Sequence, residues 1–187
     1  MGQAAKKRAT YEDLLAYPEG TNVELIDGDL HVLPRPSTPH AMAGSALGGL
    51  VIPPFQFGRG GPGGWLILHE PELHLGGDAL IPDLAGWRRE RMPELPHVPA
   101  IELVPDWVCE FLSYPSTAKY DRTVKMPLYA EKGVKHLWIG DDQAHTLEVY
   151  RRTDAGWLLV KTFAGDELIR AEPFDAVEID LSWLWKR

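Results

Sequence analysis

DWVCEFLSYPST, residues 106–117, is an apolar run broken by one acid, Glu110, and closed by Ser-Tyr-Pro-Ser-Thr. Its aromatic and β-branched residues read as a strand buried on both faces, the strongest within residues 101–112. A carboxylate in such a strand is out of place unless it is paired or bound to a cation. Two more acids keep similar company: Glu24 in VELIDGDL and Asp83 in ALIPDLAGW. Three acids on core-type strands point to a hard-metal site built from oxygen donors. Lys125 in DRTVKMPLY adds a positive charge suited to phosphate chemistry. The set reads as a magnesium-dependent nuclease.

Outward from that run, turn residues divide the chain. Thr10 caps a helix over TYEDLLAY, with Glu12 and Asp13 in its first turn and Pro18 past its end. Asp27-Gly28 turns a hairpin between strands at 22–26 and 30–33. A helix begins near Pro39, runs through AMAGSALGGLV despite its glycines, and stops at Pro53-Pro54. FGRGGPGGW lacks the Gly-Lys-Ser/Thr ending of a phosphate loop and reads as a turn. Strands follow at 65–68, 72–75 and 79–87, with a hairpin turn at Gly76-Gly77-Asp78. Residues 90–100 form a proline-rich loop. Residues 118–132 are helical and end at Gly133. Pro127 is expected to make that helix start again near Met126. Further strands lie at 135–139, 146–151 and 157–163, before a last hairpin and the apolar tail LSWLW. The order predicts one α/β domain over 10–187, with a mixed central sheet flanked by helices, after a disordered lead-in at 1–9.

The text around the acids resembles a known family. YEDLLAYPEG, NVELIDGDLHVLPRPSTPH, LIPDLAGW, WVCEFLSYPST and KMPLYAEKGVKHLWIGD resemble, in order and spacing, the bacterial family called putative restriction endonucleases, within the PD-(D/E)XK nuclease superfamily. The resemblance covers residues 10–152. It implies a restriction endonuclease-like fold and hydrolysis of DNA phosphodiester bonds with Mg²⁺, or Mn²⁺ in its place. It also implies that Asp83 and Glu110 are metal ligands and catalytic residues, with Glu24 as a supporting catalytic and metal-binding acid. His40 matches a family position near the active-site mouth; from the residues alone a helix-start or surface role is an equal alternative. The lysine that often follows the second acid by two residues is here Leu112. Lys125 takes its place as a migrated catalytic lysine. Tyr114 is an insertion relative to the family pattern. Analogy with nucleases that cut both strands suggests a homodimer.

Composition bounds these expectations. A net charge of −8 argues against indiscriminate nucleic-acid binding, which needs a basic footprint. It leaves a nuclease whose acids are partly neutralised by metal. Arg88, Arg89 and Arg91 form one basic cluster, and Lys119, Arg122 and Lys125 another; they face a substrate or are merely solvated. No apolar run approaches a membrane span, and no apolar stretch follows the N-terminal lysines as a secretory signal requires. The single Cys109 excludes an internal disulfide, fits a reducing cytoplasm, and reads as an inert core thiol. No His/Cys spacing matches a zinc site. Neither Ser113 nor Ser116 has a nucleophile elbow, so no serine hydrolase pairing with His40 is expected. The tryptophans read as core packing or a dimer face rather than base-stacking platforms. The competing function is a non-catalytic module that keeps the nuclease scaffold to bind DNA or protein.

Overall fold

The computed structural model describes residues 7–113 and 115–186. Residues 1–6 of the expected lead-in and the inserted Tyr114 lie outside the described residues. Thr10 caps α1 (Tyr11–Leu15) through a reciprocal box with Asp13. Just ahead of it, the Ala9 N–H donates to the Gly28 carbonyl at 2.8 Å, tying the entry of the chain to the first hairpin. That hairpin pairs β1 (Val23–Ile26) with β2 (Asp29–Val32) across Asp27 and Gly28, both at positive φ. Two such residues suit a tight hairpin turn, and glycine takes the second at no steric cost.

α2 (Thr38–Val51) starts where Ser37 caps it. Its glycines have a packing use: a Cβ at Gly48 would collide with the His69 ring. Pro53-Pro54 does not stop the helical path as the sequence suggested. The chain widens into a π-helical turn over Ile52–Gln56, which absorbs both prolines.

The run expected as one strand at 79–87 is two strands in two sheets. β4 (Leu73–Leu75) and β5 (Asp78–Leu80) complete a four-stranded antiparallel sheet in the order β2-β1-β5-β4. After Ile81-Pro82-Asp83 the chain enters β6 (Leu84–Arg88), next to β3 (Trp65–His69). Pro82 lacks the N–H that an uninterrupted ladder needs, so the strand breaks there. The break places Asp83 on the seam between the sheets.

The larger sheet has the order β10-β9-β8-β7-β6-β3. Its remaining strands are β7 (Trp107–Leu112), β8 (His136–Asp141), β9 (Thr146–Thr153) and β10 (Gly156–Ala164). Only β7 and β8 are parallel, and the crossover between them is helical. It comprises α3 (Pro115–Tyr120), a π-helical turn over Asp121–Lys125 and α4 (Met126–Lys132). α-Type bonding restarts at Met126 as expected, with Pro127 in its first turn, but the helical path is unbroken. The Met126 N–H reaches back five residues to the Asp121 carbonyl, widening the turn ahead of Pro127. β11 (Leu168–Ile169), β12 (Ile179–Asp180) and α5 (Ser182–Trp185) follow.

Side-chain alternation along β7 separates two cores. Trp107, Cys109 and Phe111 pack on one face with α2 and Phe174. Val108 and Leu112 pack on the other with Leu128 and Tyr129 of α4. Glu110 has the parity of the second face, so it points toward the helix that carries Lys125. Trp65, Trp87, Trp107 and Trp138 are buried, and Trp107 meets Trp138 edge-on at 5.4 Å. Such aromatic pairs contribute about 0.5–1.5 kcal/mol beyond burial. Most of the tryptophans are thus core residues, as the sequence indicated. Cys109 is buried too, and burial pushes its thiol well above the usual range. Among the described residues no helix is long and apolar enough to cross a membrane.

Candidate active site

The strand register brings the two central acids together. Leu84 pairs with Cys109, so the residues just beyond, Asp83 and Glu110, flank one point between β6 and β7. Asp83 Oδ2 accepts the Phe111 N–H at 2.6 Å. Its Oδ1 accepts His40 Nε2–H at 2.8 Å, and Ser113 Oγ lies 2.5 Å from His40 Nδ1. The Ser113–His40 pairing that the sequence did not favour is therefore formed. Because Asp83 is its third member, its evident effect is to fix that carboxylate. Burial alone would lower the His40 pKa, but the hydrogen bond and charge of Asp83, with the charges of Asp142 and Asp121, together raise the ring above its ordinary value.

Lys125 is the cation of the site. It is 2% exposed, and its Nζ lies 2.7 Å from Glu110 Oε1 and 3.0 Å from Glu24 Oε1. The π turn brings it there from the helical crossover. Burial acts to lower its pKa, yet Glu110 and Glu24 hold the ammonium well above the usual range. For Glu110, burial is the largest influence and pushes its carboxyl well above the usual range. Asp83, Asp121 and Glu24 push the same way against Lys125. Tyr129 donates its hydroxyl to Glu110 Oε1 at 2.6 Å.

Glu24, expected among the metal-binding acids, is wholly buried and has both oxygens engaged by protein. Oε1 accepts the Ile81 N–H at 2.9 Å and faces Lys125, while Oε2 accepts the Tyr120 hydroxyl at 2.8 Å. It grips the lysine and the chain segment leading to Asp83. Lys125 thus belongs to the interior, and Arg122 pairs with Glu148 at 2.8 Å and Arg91 with Asp106 at 2.8 Å. Half of the two basic clusters is thus engaged in ion pairs, while Arg88, Arg89 and Lys119 are exposed.

Asp121 is the site residue the sequence reading missed. It stands four residues before Lys125, is 7% exposed, and lines the same cleft as Asp83, Glu110, Lys125 and His40. Among the described residues no hydrogen bond or ion pair is formed by its carboxylate, although its carbonyl accepts the Met126 N–H. Burial, together with the charges of Asp83 and Glu24, raises its pKa to about 6 against the pull of Lys125 and His40. An acid four residues from a lysine normally reads as an exposed helix pair, which concealed it. Arg35, also unflagged, is exposed at the rim of the cleft.

The raised Asp121 carboxyl gives a pH prediction for metal-free protein. Between about pH 4 and about pH 6 the folded state keeps a proton that the unfolded chain has released. Stability from this group is therefore full below pH 4 and lost as pH rises through 6. Asp121→Asn is expected to exceed wild type by roughly 2–3 kcal/mol at pH 8, with the gain vanishing below pH 4. Urea melts in chelator across that range measure it; a gain independent of pH would contradict the assignment.

The donor set suits Mg²⁺, which is usually held through one or two carboxylates with several retained waters. Asp83 and Glu110 are such a pair, and the cleft offers about 70 Å³ of free space, room for an ion and a few waters. Among the described residues, no three His, Cys, Asp or Glu side chains are close enough together to hold one ion. The fit thus rests on two carboxylates with water, not on a closed protein cage.

The comparisons with known proteins agree with this architecture. A crystal structure of a "putative nuclease belonging to DUF820" from Anabaena variabilis is similar at a TM-score of 0.68 and 20% identity, over 94% of this chain and 98% of that one. It shares the fold. No curated protein matches. The family profile described as "Putative restriction endonuclease" (Uma2) matches residues 9–182. The chain belongs to the Uma2 family of restriction endonuclease-like proteins.

Proposed function

We propose that the protein is a Mg²⁺-dependent endonuclease that hydrolyses DNA phosphodiester bonds, with Mn²⁺ able to replace Mg²⁺. The observation that carries this reading is the buried Lys125 ammonium, held against Glu24 and Glu110 and beside Asp83. Asp83 and Glu110 would hold the ion, which supplies Lewis acidity to water and to the phosphate when bound. Glu24, Tyr120 and Tyr129 act through their hydrogen bonds, fixing the charged groups before substrate arrives. Lys125 presents a fixed positive charge to the phosphoryl oxygens as negative charge builds on them. Asp121, a carboxyl raised by burial that lines the same cleft, is placed to take a proton from an attacking water. His40 keeps Asp83 oriented. Arg35 gives an incoming phosphate a cation at the rim.

One observation favours the second reading, a non-catalytic binding module. The Lys125 ammonium pairs directly with Glu110 at 2.7 Å, so that carboxylate already has a cationic partner without a metal. The two readings part on closed circular DNA. Nicking in Mg²⁺ that stops in chelator is expected of the nuclease; DNA binding without strand scission in Mg²⁺ or Mn²⁺ would favour the module.

A further inference from the structure

The free space in the catalytic cleft, about 70 Å³, has no room for a base. A second cavity of about 490 Å³ lies beside it, within the size range of small-ligand sites. Thr38, Pro39 and Met42 of α2 line it with Leu184, Trp185 and Lys186 at the α5 end of the chain. It adjoins the catalytic cleft on two counts. Thr38 and Pro39 directly precede His40, which lines the cleft, and Asp142 at the cavity edge acts electrostatically on His40.

The cavity is largely apolar and one wall is rigid. Trp185 donates its Nε1–H to the Gly165 carbonyl at 3.1 Å and stacks on His145 at 5.5 Å with the rings 5° from parallel. Lys186 supplies a cation at the mouth, its Nζ 4.0 Å from the centre of the Trp183 ring, which is 51% exposed. An apolar slot edged by the Lys186 ammonium and the Asp142 carboxylate matches a nucleotide, whose flat base fills the slot and whose phosphate meets the ammonium. A hydrophobic peptide side chain would fill the slot but bring no partner for the ammonium. The overall charge of −8 adds a reason: contacts to the phosphate backbone alone cannot supply this chain's affinity for nucleic acid.

We propose that this cavity is a nucleobase subsite, taking the base next to the phosphate held in the catalytic cleft. The inference rests on the nuclease reading and specifies its substrate: a strand whose base at that position is unstacked. Met42 is 43% exposed, outside the catalytic machinery, and suited to a blocking change. The test is fluorescence anisotropy of a labelled single-stranded oligonucleotide, and of the same strand carrying abasic residues, in Ca²⁺. Wild type should bind the ordinary strand about tenfold more tightly than the abasic one. Met42→Lys should bring the ordinary strand down to the abasic level, although the added charge by itself favours phosphate. Equal binding of the two strands by wild type, or tighter binding by Met42→Lys, overturns the subsite. Unchanged DNA binding with loss of a dimer on sedimentation assigns the cavity to a second copy and also overturns it. Hydrolysis of bis(4-nitrophenyl) phosphate, which has no base, reports on the nuclease reading separately. If wild type cleaves it in Mg²⁺ while the two strands bind alike, the subsite alone fails; if wild type neither cleaves it nor binds either strand, both fail.

Discussion

Lys125→Met is expected to remove about 3–5 kcal/mol of stability at pH 8, because it leaves buried carboxylates without their cation. It should also slow DNA cleavage on the order of 10²–10³-fold, the usual cost of losing one fixed electrostatic contact to a transition state. Methionine keeps an unbranched side chain as far as Cε, one atom short of the ammonium, so the effect falls mainly on charge rather than packing. Glu24 would keep its bonds to the Ile81 N–H and Tyr120, and Glu110 its bond to Tyr129, but neither would keep an ion-pair partner. The loss should shrink on acidification. Burial and the neighbouring acids raise the Glu110 carboxyl in the folded state, so below its folded pKa it is protonated and no longer costs energy to bury. Adding Glu24→Gln to the lysine variant should recover part of the stability and none of the activity. Urea melts at pH 8 and pH 5, beside cleavage rates, separate the two effects. A lysine variant that melts like wild type and cleaves normally would show that Lys125 is an ordinary buried residue.

Glu110→Gln should have the opposite profile, with activity lost and the fold kept. The glutamine oxygen can still accept from Tyr129 and from Lys125, whose charge keeps Glu24 as a partner. The change also removes a carboxylate that burial and three neighbouring acids disfavour. These effects oppose one another, so stability should stay within about 1 kcal/mol of wild type. An amide is a poor replacement for a carboxylate toward a hard dication. Mn²⁺ affinity should fall at least about tenfold, and cleavage on the order of 10²-fold or more. Isothermal titration with Mn²⁺ reads the affinity without turnover, and thermal melting confirms the fold. Unchanged Mn²⁺ affinity would remove Glu110 from the metal site.

The sequence carried the acids and their setting, because each sits in an apolar run where a solvated acid is out of place. Strand alternation along WVCEFL even fixes the face that Glu110 occupies. The division into two sheets was less legible. Residues 79–87 have the composition of one strand, and only Pro82 marks where the chain crosses the seam. Lys125 was legible as a candidate, but its aim was not. The π turn that widens the helix ahead of Pro127 is held by tertiary contacts to Glu24 and Glu110, which adjacent residues cannot reveal. Asp121 was hidden for the same reason. In a regular α-helix, residues four apart form a surface pair; here the turn carries both groups into one buried cleft. The role of Glu24 also depended on distant partners, since only the fold shows both its oxygens engaged by Lys125, Ile81 and Tyr120.

The most direct test of the account is nicking of supercoiled DNA in Mg²⁺ by wild type and by Asp83→Ala at matched concentration. The account predicts Mg²⁺-dependent nicking by wild type, abolished by chelator and reduced on the order of 10²-fold or more in Asp83→Ala. Equal nicking by the two proteins, or nicking indifferent to chelator, would contradict it.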